Sequence, residues 1–157
     1  MARTIVWAAV LLLVPLALVA AGIEPVAPLE KDKCPVCGMF VAKYKDWVAE
    51  VIYSDGGYAV FDGPKDMFTY LLNLEKYAPG RTQGGIAAVY VTEYYSLELI
   101  DARGALFVMG SDVYGPMGKE LIPFRQRKDA EEFMKDHRGQ RIVTFDEFTA
   151  DVLGALH

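Results

Sequence analysis

Histidine is almost missing from this 157-residue chain, which has only His137 and the terminal His157. A structural zinc site takes four Cys, His or carboxylate ligands, so a Cys/His site would have to recruit the chain end. Cysteine is equally sparse, and its two residues, Cys34 and Cys37, stand together. Basic residues are outnumbered, 16 Lys plus Arg against 21 Asp plus Glu, for a net charge of −5. No Lys/Arg cluster offers the positive surface that phosphate neutralisation requires, so nucleic acid is excluded as a partner. The chain is 53% hydrophobic and 24% charged, a balance that speaks against long disorder. Its length suits one ordinary domain or two very small ones sharing a core.

Part of that hydrophobicity belongs to the N-terminus. After Arg3 an apolar run extends from Ile5 to Ala21 and ends in the small residues Ala20, Ala21 and Gly22. A basic start, an apolar middle and a small-residue exit describe an export signal over residues 1–22, with Val19-Ala20-Ala21 as a plausible cleavage site. An uncleaved N-terminal membrane anchor is the alternative, because the run lies near the lower limit for spanning a bilayer. A bacterial lipoprotein carries Cys just after such a run; here Ile23 stands there, so lipidation at that point is not expected. Residues 23–33 are polar and punctuated by Pro25 and Pro28, which predicts a tether. The expected destination is the periplasm.

The tether leads into Cys34-Pro-Val-Cys37-Gly38-Met39. In an oxidising compartment such a pair reads first as a disulfide, yet so short a closed loop removes little unfolded-state entropy. A thioredoxin-like exchanger places its first Cys at a helix N-terminus, which acidifies it. Here Gly38 follows at once and no helical stripe begins, which predicts a loop. Met39 shifts the balance towards copper, since thiolate and thioether ligands together favour Cu(I).

Most of the six Met residues read as core filler. Met67 and Met134 fall at apolar helix positions, and Met109 ends a strand-like run. Met117 differs. It lies in Gly115-Pro116-Met117-Gly118, a turn setting that gives a long apolar side chain no regular face to pack on.

Between these loops the pattern is mixed. Residues 48–53 and 58–61 read as strands joined by an Asp55-Gly56 hairpin turn. Asp62-Gly63-Pro64 opens a helix, with Asp62 as its cap and Met67, Phe68, Leu71 and Leu72 as its stripe. Strands are expected over 86–93, 97–101, 105–109 and 119–124. A helix over 128–138 follows, stopped by Gly139, with His137 favoured at its end by the dipole. A strand over 141–143 leads to Thr144-x-x-Glu147, a capping box predicted to open a last helix carrying Phe148, Val152, Leu153 and Leu156.

Phe61-Asp-Gly-Pro-Lys-Asp66 resembles Phe124-Arg-Gln-Arg-Lys-Asp129. Each has a strand ending in Phe, a polar turn, then Lys-Asp opening a helix, and a Gly/Met loop lies upstream of each. That echo predicts two related strand-strand-helix units, about 34–77 and 86–148, with the two loops in equivalent places.

Taken together, Cys34-x-x-Cys37-Gly-Met39 after a leader, Phe61-Asp-x-Pro-Lys-Asp-Met-Phe68, Asp101-Ala-x-x-Ala-x-x-Val-x-Gly-Ser111, Gly115-Pro-Met-Gly118 and Phe124-x-x-x-Lys-Asp-Ala130 resemble the NosL family over nearly the whole mature chain. The resemblance implies an α+β fold of two related units packed together, similar to a domain of organomercurial lyase, over residues 34–157. It implies a Cu(I)-binding accessory protein, a carrier and not an enzyme. Its partners would be nitrous oxide reductase, whose copper-sulfide centre it supplies, and an ABC-type transporter of the same maturation system. Carried across residue by residue, the metal ligands would be Cys37 with Met117 first, then Cys34 and Met39. Members often end in His-rich tails, whereas this chain ends in His157 alone. A thiol-disulfide exchanger using Cys34 and Cys37 and a structural accessory module remain the alternatives.

Overall fold

A computed structural model describes residues 22–156. The expected leader therefore lies outside the described residues except for Gly22, as does His157. No helix among the described residues is long and apolar enough to cross a membrane.

The first strands are β1 (Ala49–Tyr53) and β2 (Tyr58–Phe61), followed by helices α1 (Pro64–Leu72) and α2 (Leu74–Tyr77). Strands β3 (Ile86–Thr92) and β4 (Leu99–Asp101) complete an antiparallel sheet of order β2-β1-β3-β4. Strand β5 (Leu106–Met109) leads through a small hairpin, β6 (Tyr114–Gly115) and β7 (Gly118–Lys119), to β8 (Ile122–Phe124). Helix α3 (Arg127–Asp136), strand β9 (Arg141–Thr144) and helix α4 (Ala150–Gly154) follow. The second sheet has the order β8-β5-β9, also antiparallel. The α+β class is present, and in each half a hairpin precedes a helix, after which a third strand returns beside the first; β3 and β4, expected to begin the second unit, therefore belong to the sheet of the first, because β3 pairs with β1.

Register explains the faces. Ala49, Phe61 and Val91 are partners across the first sheet, and this side packs on α1, where Phe61 meets Tyr70 edge-on at 5.0 Å. Alternation along β5 sends Phe107 towards α1, 5.2 Å from the Phe68 ring, and Val108 into a second cluster with Ile122, Phe124, Ala130 and Phe133 under α3. Phe68 also stacks on Phe148 at 3.7 Å. Helix α1 is thus enclosed between the sheets, and Met67 and Met109 are core residues as expected.

Three local expectations change. The strand expected over 119–124 breaks at Glu120 and Leu121, because the buried Glu120 carboxylate accepts hydrogen bonds from amides of Lys65 and Leu121. The Thr144 capping box forms but opens only a single 3-10 turn, since Phe148 is extended and packs into the Phe68 cluster; Thr149 caps α4 separately. Helix α3 ends at Asp136 with His137 as its C-cap, and the chain leaves through Arg138 at φ +56°, with the Gly139 amide donating to the Met134 carbonyl. Gly139 serves close packing instead, as a Cβ there would lie 2.5 Å from Val108 Cγ1. The two Met loops are also not equivalent: the Cys-Gly-Met loop precedes β1, whereas the Met117 hairpin sits between β5 and β8.

Residues 23–33, expected as a tether, lie across the outer face of the first sheet. The Val26 amide donates to Glu50 Oε2 at 2.8 Å, and the Tyr58 hydroxyl donates to Asp32 Oδ2 at 3.1 Å. The Tyr90 hydroxyl donates to the Ile23 carbonyl. Glu50 is fully buried, and burial pushes its pKa from 4.5 up to about 7. Between those values the folded chain keeps a proton that the unfolded chain has released, so stability falls as pH rises through that window. The expected result is a shallower fall in urea-unfolding free energy over the window in Glu50→Gln, which still accepts from the Val26 amide. An unchanged slope would place the retained proton elsewhere.

Candidate metal centre

The loop that carries the thiols is closed by its own backbone. The Cys34 amide donates to the Met39 carbonyl at 2.9 Å and the Gly38 amide to the Cys34 carbonyl at 2.9 Å, while Lys33 and Phe40 form an antiparallel bridge. Gly38 takes φ +82°, a conformation that disfavours any side chain. The turn leaves Cys34 buried and Cys37 half-buried, both as free thiols.

The thiols face the start of α1. Cys37 Sγ donates to Asp62 Oδ1 at 3.1 Å, and Cys34 Sγ donates to Asp66 Oδ2 at 3.2 Å. One ligand atom from each of Cys34, Cys37, Asp62 and Asp66 lies within 4.8 Å of every other. Asp62 was expected as the helix cap, yet the cap position is Gly63, with no side-chain bond, and Asp62 turns to the thiol instead. Asp62 is 1% exposed and its Oδ2 has no hydrogen-bond partner among the described residues. A buried oxygen left in that state costs about 1–3 kcal/mol, a cost that a cation seated in the cluster removes. The donor set, two sulfurs and two carboxylates around an unpartnered oxygen, fits a metal ion.

Burial is the main force on the thiols. It pushes Cys37 up to about 12, with the Asp62 and Asp66 carboxylates adding to the rise. Cys34, deeper still, is raised well above the ordinary thiol range by the same cause, despite backbone amides that act against it. An exchanger needs the opposite, an acidified nucleophilic Cys.

Of the four residues singled out in the sequence, Cys34 and Cys37 come together in this cluster. Met39 is half-buried in the same loop, and its carbonyl holds the Cys34 amide. Met117 occupies the tip of the β6–β7 hairpin, 45% exposed. Its carbonyl accepts from Lys65 Nζ at 2.9 Å, so the hairpin backbone reaches the helical turn that carries Asp66. Asp62 and Asp66 were not foreseen as site residues. Their four-residue spacing across a helix start is the one local signal, and it equally describes a capped, acidic first turn. His137 stacks on Phe133 at 4.4 Å and pairs with Asp112 at 3.2 Å, in keeping with a helix-end role.

Comparison with known proteins gives consistent findings. The family model described as NosL matches residues 25–153. The copper-binding lipoprotein NosL of Stutzerimonas stutzeri is 27% identical over 143 residues, covering 86% of this chain and 71% of that protein. The crystal structure of the copper chaperone NosL from Shewanella denitrificans is similar at a TM-score of 0.69 and 27% identity, over 82% of this chain and 97% of that one.

With Cys37 raised to about 12, alkylation of the reduced, metal-free protein by iodoacetamide at mildly alkaline pH should run about two to three orders of magnitude slower than that of an unperturbed thiol. Asp62→Asn, which removes a negative charge beside the sulfur, should speed it. Wild-type alkylation at the rate of free cysteine would contradict this account of the site.

Proposed function

The chain belongs to the NosL family, and from that membership we propose that it is an exported Cu(I)-binding metallochaperone that delivers copper for assembly of nitrous oxide reductase. The observation that carries the reading is the pair of thiols gathered in one cluster beside an orphaned carboxylate oxygen. Both relatives are named for copper, one as a binding lipoprotein and one as a chaperone, which favours a carrier over a catalyst.

Cu(I) is the cargo, and soft sulfur donors suit it. Cys37, half-buried and nearer solvent than Cys34, is the first ligand in this proposal, with Met117 from the second loop. Cys34 and Met39 complete the set. Few ligands leave coordination positions through which an acceptor's side chains enter and take the ion. Thiolates are the binding form, so loading releases protons and affinity rises with pH. Asp62 and Asp66 are hard donors that accept hydrogen bonds from the thiols.

The acceptor in this reading is nitrous oxide reductase, with the ABC-type transporter of the same system as second partner; the family resemblance supports both. A net charge of −5 would steer the chain towards a basic patch. The periplasm is the proposed location, supported by the leader sequence and by the lipoprotein character of the Stutzerimonas stutzeri relative.

The test is competition for Cu(I) between a chelator and the reduced protein, comparing wild type with Cys37→Ser and Met117→Ala. Each substitution should weaken retention by about tenfold or more, equivalent to ~1.4 kcal/mol or more, and the wild type should not reduce insulin. Two variants that retain Cu(I) like the wild type would overturn the ligand assignment. Insulin reduction indifferent to Met117 would favour the exchanger.

A further inference from the structure

The hairpin bearing Met117 is slight. It has two residue pairs, Tyr114 with Lys119 and Gly115 with Gly118, and the side chains of Tyr114 and of Met117 at its tip are exposed. Packing of its own residues gives it little hold on the rest of the chain, yet a ligand must be held in place to contribute to an affinity.

Lys65 supplies that hold. It lies in the first turn of α1 and is only 7% exposed. Its ammonium donates to the Met117 carbonyl at 2.9 Å and to the Lys119 carbonyl at 2.8 Å, on either side of the Gly118 turn. Its backbone amide donates to Glu120 Oε1 at 2.7 Å, directly after the hairpin. One residue of the helix therefore grips the second loop at three atoms. Glu120, 3% exposed, takes the Leu121 amide as well and occupies the place of a helix cap that Gly63 does not provide. The fit is close: a Cβ at Gly63 would sit 2.2 Å from Glu120 Oε2, and one at Gly115 would sit 3.0 Å from Glu120 Cβ.

The next residue along the helix is Asp66, which accepts from the Cys34 thiol. The two loops are thus indexed to each other across a single peptide step, Lys65 for the thioether loop and Asp66 for the thiol loop. We infer that Lys65 and Glu120 are positioning residues that hold the Met117 hairpin in register with the Cys34–Cys37 loop. This rests on the reading of Met117 as a copper ligand. Lys65 touches no cargo in this account; it acts through the backbone of the loop it fastens.

A buried lysine that merely stabilises the fold would weaken every property of the protein together. A positioning residue acts through Met117 and loses its effect on copper once Met117 is gone. The experiment is therefore a double-mutant cycle on the full chain, with Cu(I) retention against a chelator and the number of sulfur scatterers in the copper X-ray absorption spectrum as readouts. Lys65→Leu, which keeps an apolar stem, deletes the amine and adds no sulfur, should weaken retention by about tenfold and remove one sulfur from the copper shell. Lys65→Arg, which can still reach both carbonyls, should recover the sulfur count. In a Met117→Ala background Lys65→Leu should change retention by less than about twofold. Lys65→Gln, a milder change whose amide reaches one carbonyl at most, should fall between wild type and Lys65→Leu, and it carries the test if Lys65→Leu does not fold. Wild-type retention and sulfur count in Lys65→Leu and Lys65→Gln, or a full additional loss in the double variant, would overturn the inference. A silent Met117→Ala would instead overturn the ligand reading itself, a result distinguishable from a silent Lys65 variant beside a damaging Met117→Ala.

Discussion

Two thiol-to-carboxylate hydrogen bonds meet at the buried start of α1, and the rest of the molecule is arranged around that meeting. Cys37 to Asp62 and Cys34 to Asp66 join a loop that precedes the first sheet to a helix that follows its second strand. Lys65, between the two carboxylates in sequence, fastens the hairpin of the second half. Two segments that are distant in the chain, the thiol loop and the Met117 hairpin, converge on five residues, Asp62 to Asp66.

Such a convergence is costly. Asp62, Lys65, Asp66 and Glu120 are all buried, and buried charged or polar groups are unfavourable unless they are paired and hydrogen-bonded. The aromatic cluster beneath them supplies the compensation. Phe61, Phe68, Phe107 and Phe148 are each buried, and they contact one another or Tyr70 at ring distances of 3.7 to 5.4 Å. Truncating a buried phenylalanine typically costs about 3–5 kcal/mol, against about 1–3 kcal/mol for an orphaned polar group. An apolar interior of this kind can carry an unsatisfied carboxylate oxygen, and Asp62 Oδ2 is one that it carries. A partly unsatisfied cluster of this kind is suited to taking up a cation and giving it away.

The outer face of the first sheet shows a second use of buried charge. Residues 23–33 lie across it with Val26 bonded to the buried Glu50. The polar, Pro-punctuated composition of that segment correctly indicated no regular structure, but irregular is not the same as detached. Backbone amides of such a stretch need acceptors, and Glu50 offers one from within a strand.

Alternation, turn chemistry and helix stripes were enough to place β1 and β2, the Asp55-Gly56 turn, α1 and α3, and to mark the Cys-Gly-Met and Gly-Pro-Met-Gly loops as unusual. These are short-range properties, carried by side-chain periods and by backbone angles that few residues adopt. The pairing of Cys37 with Asp62, of Cys34 with Asp66 and of Lys65 with Lys119 spans 25, 32 and 54 residues, and no local pattern encodes it. Asp62 had the sequence of a cap and Glu120 that of a strand residue; folding gave the capping place to Glu120 and the thiol to Asp62. The sequence by itself determined β1, β2, α1 and α3, and which side chains carry soft sulfur. Only the tertiary structure decided which carboxylates stand beside them and what holds the second loop, because a buried polar group takes its partner from whatever packing brings within 3 Å, at any distance along the chain.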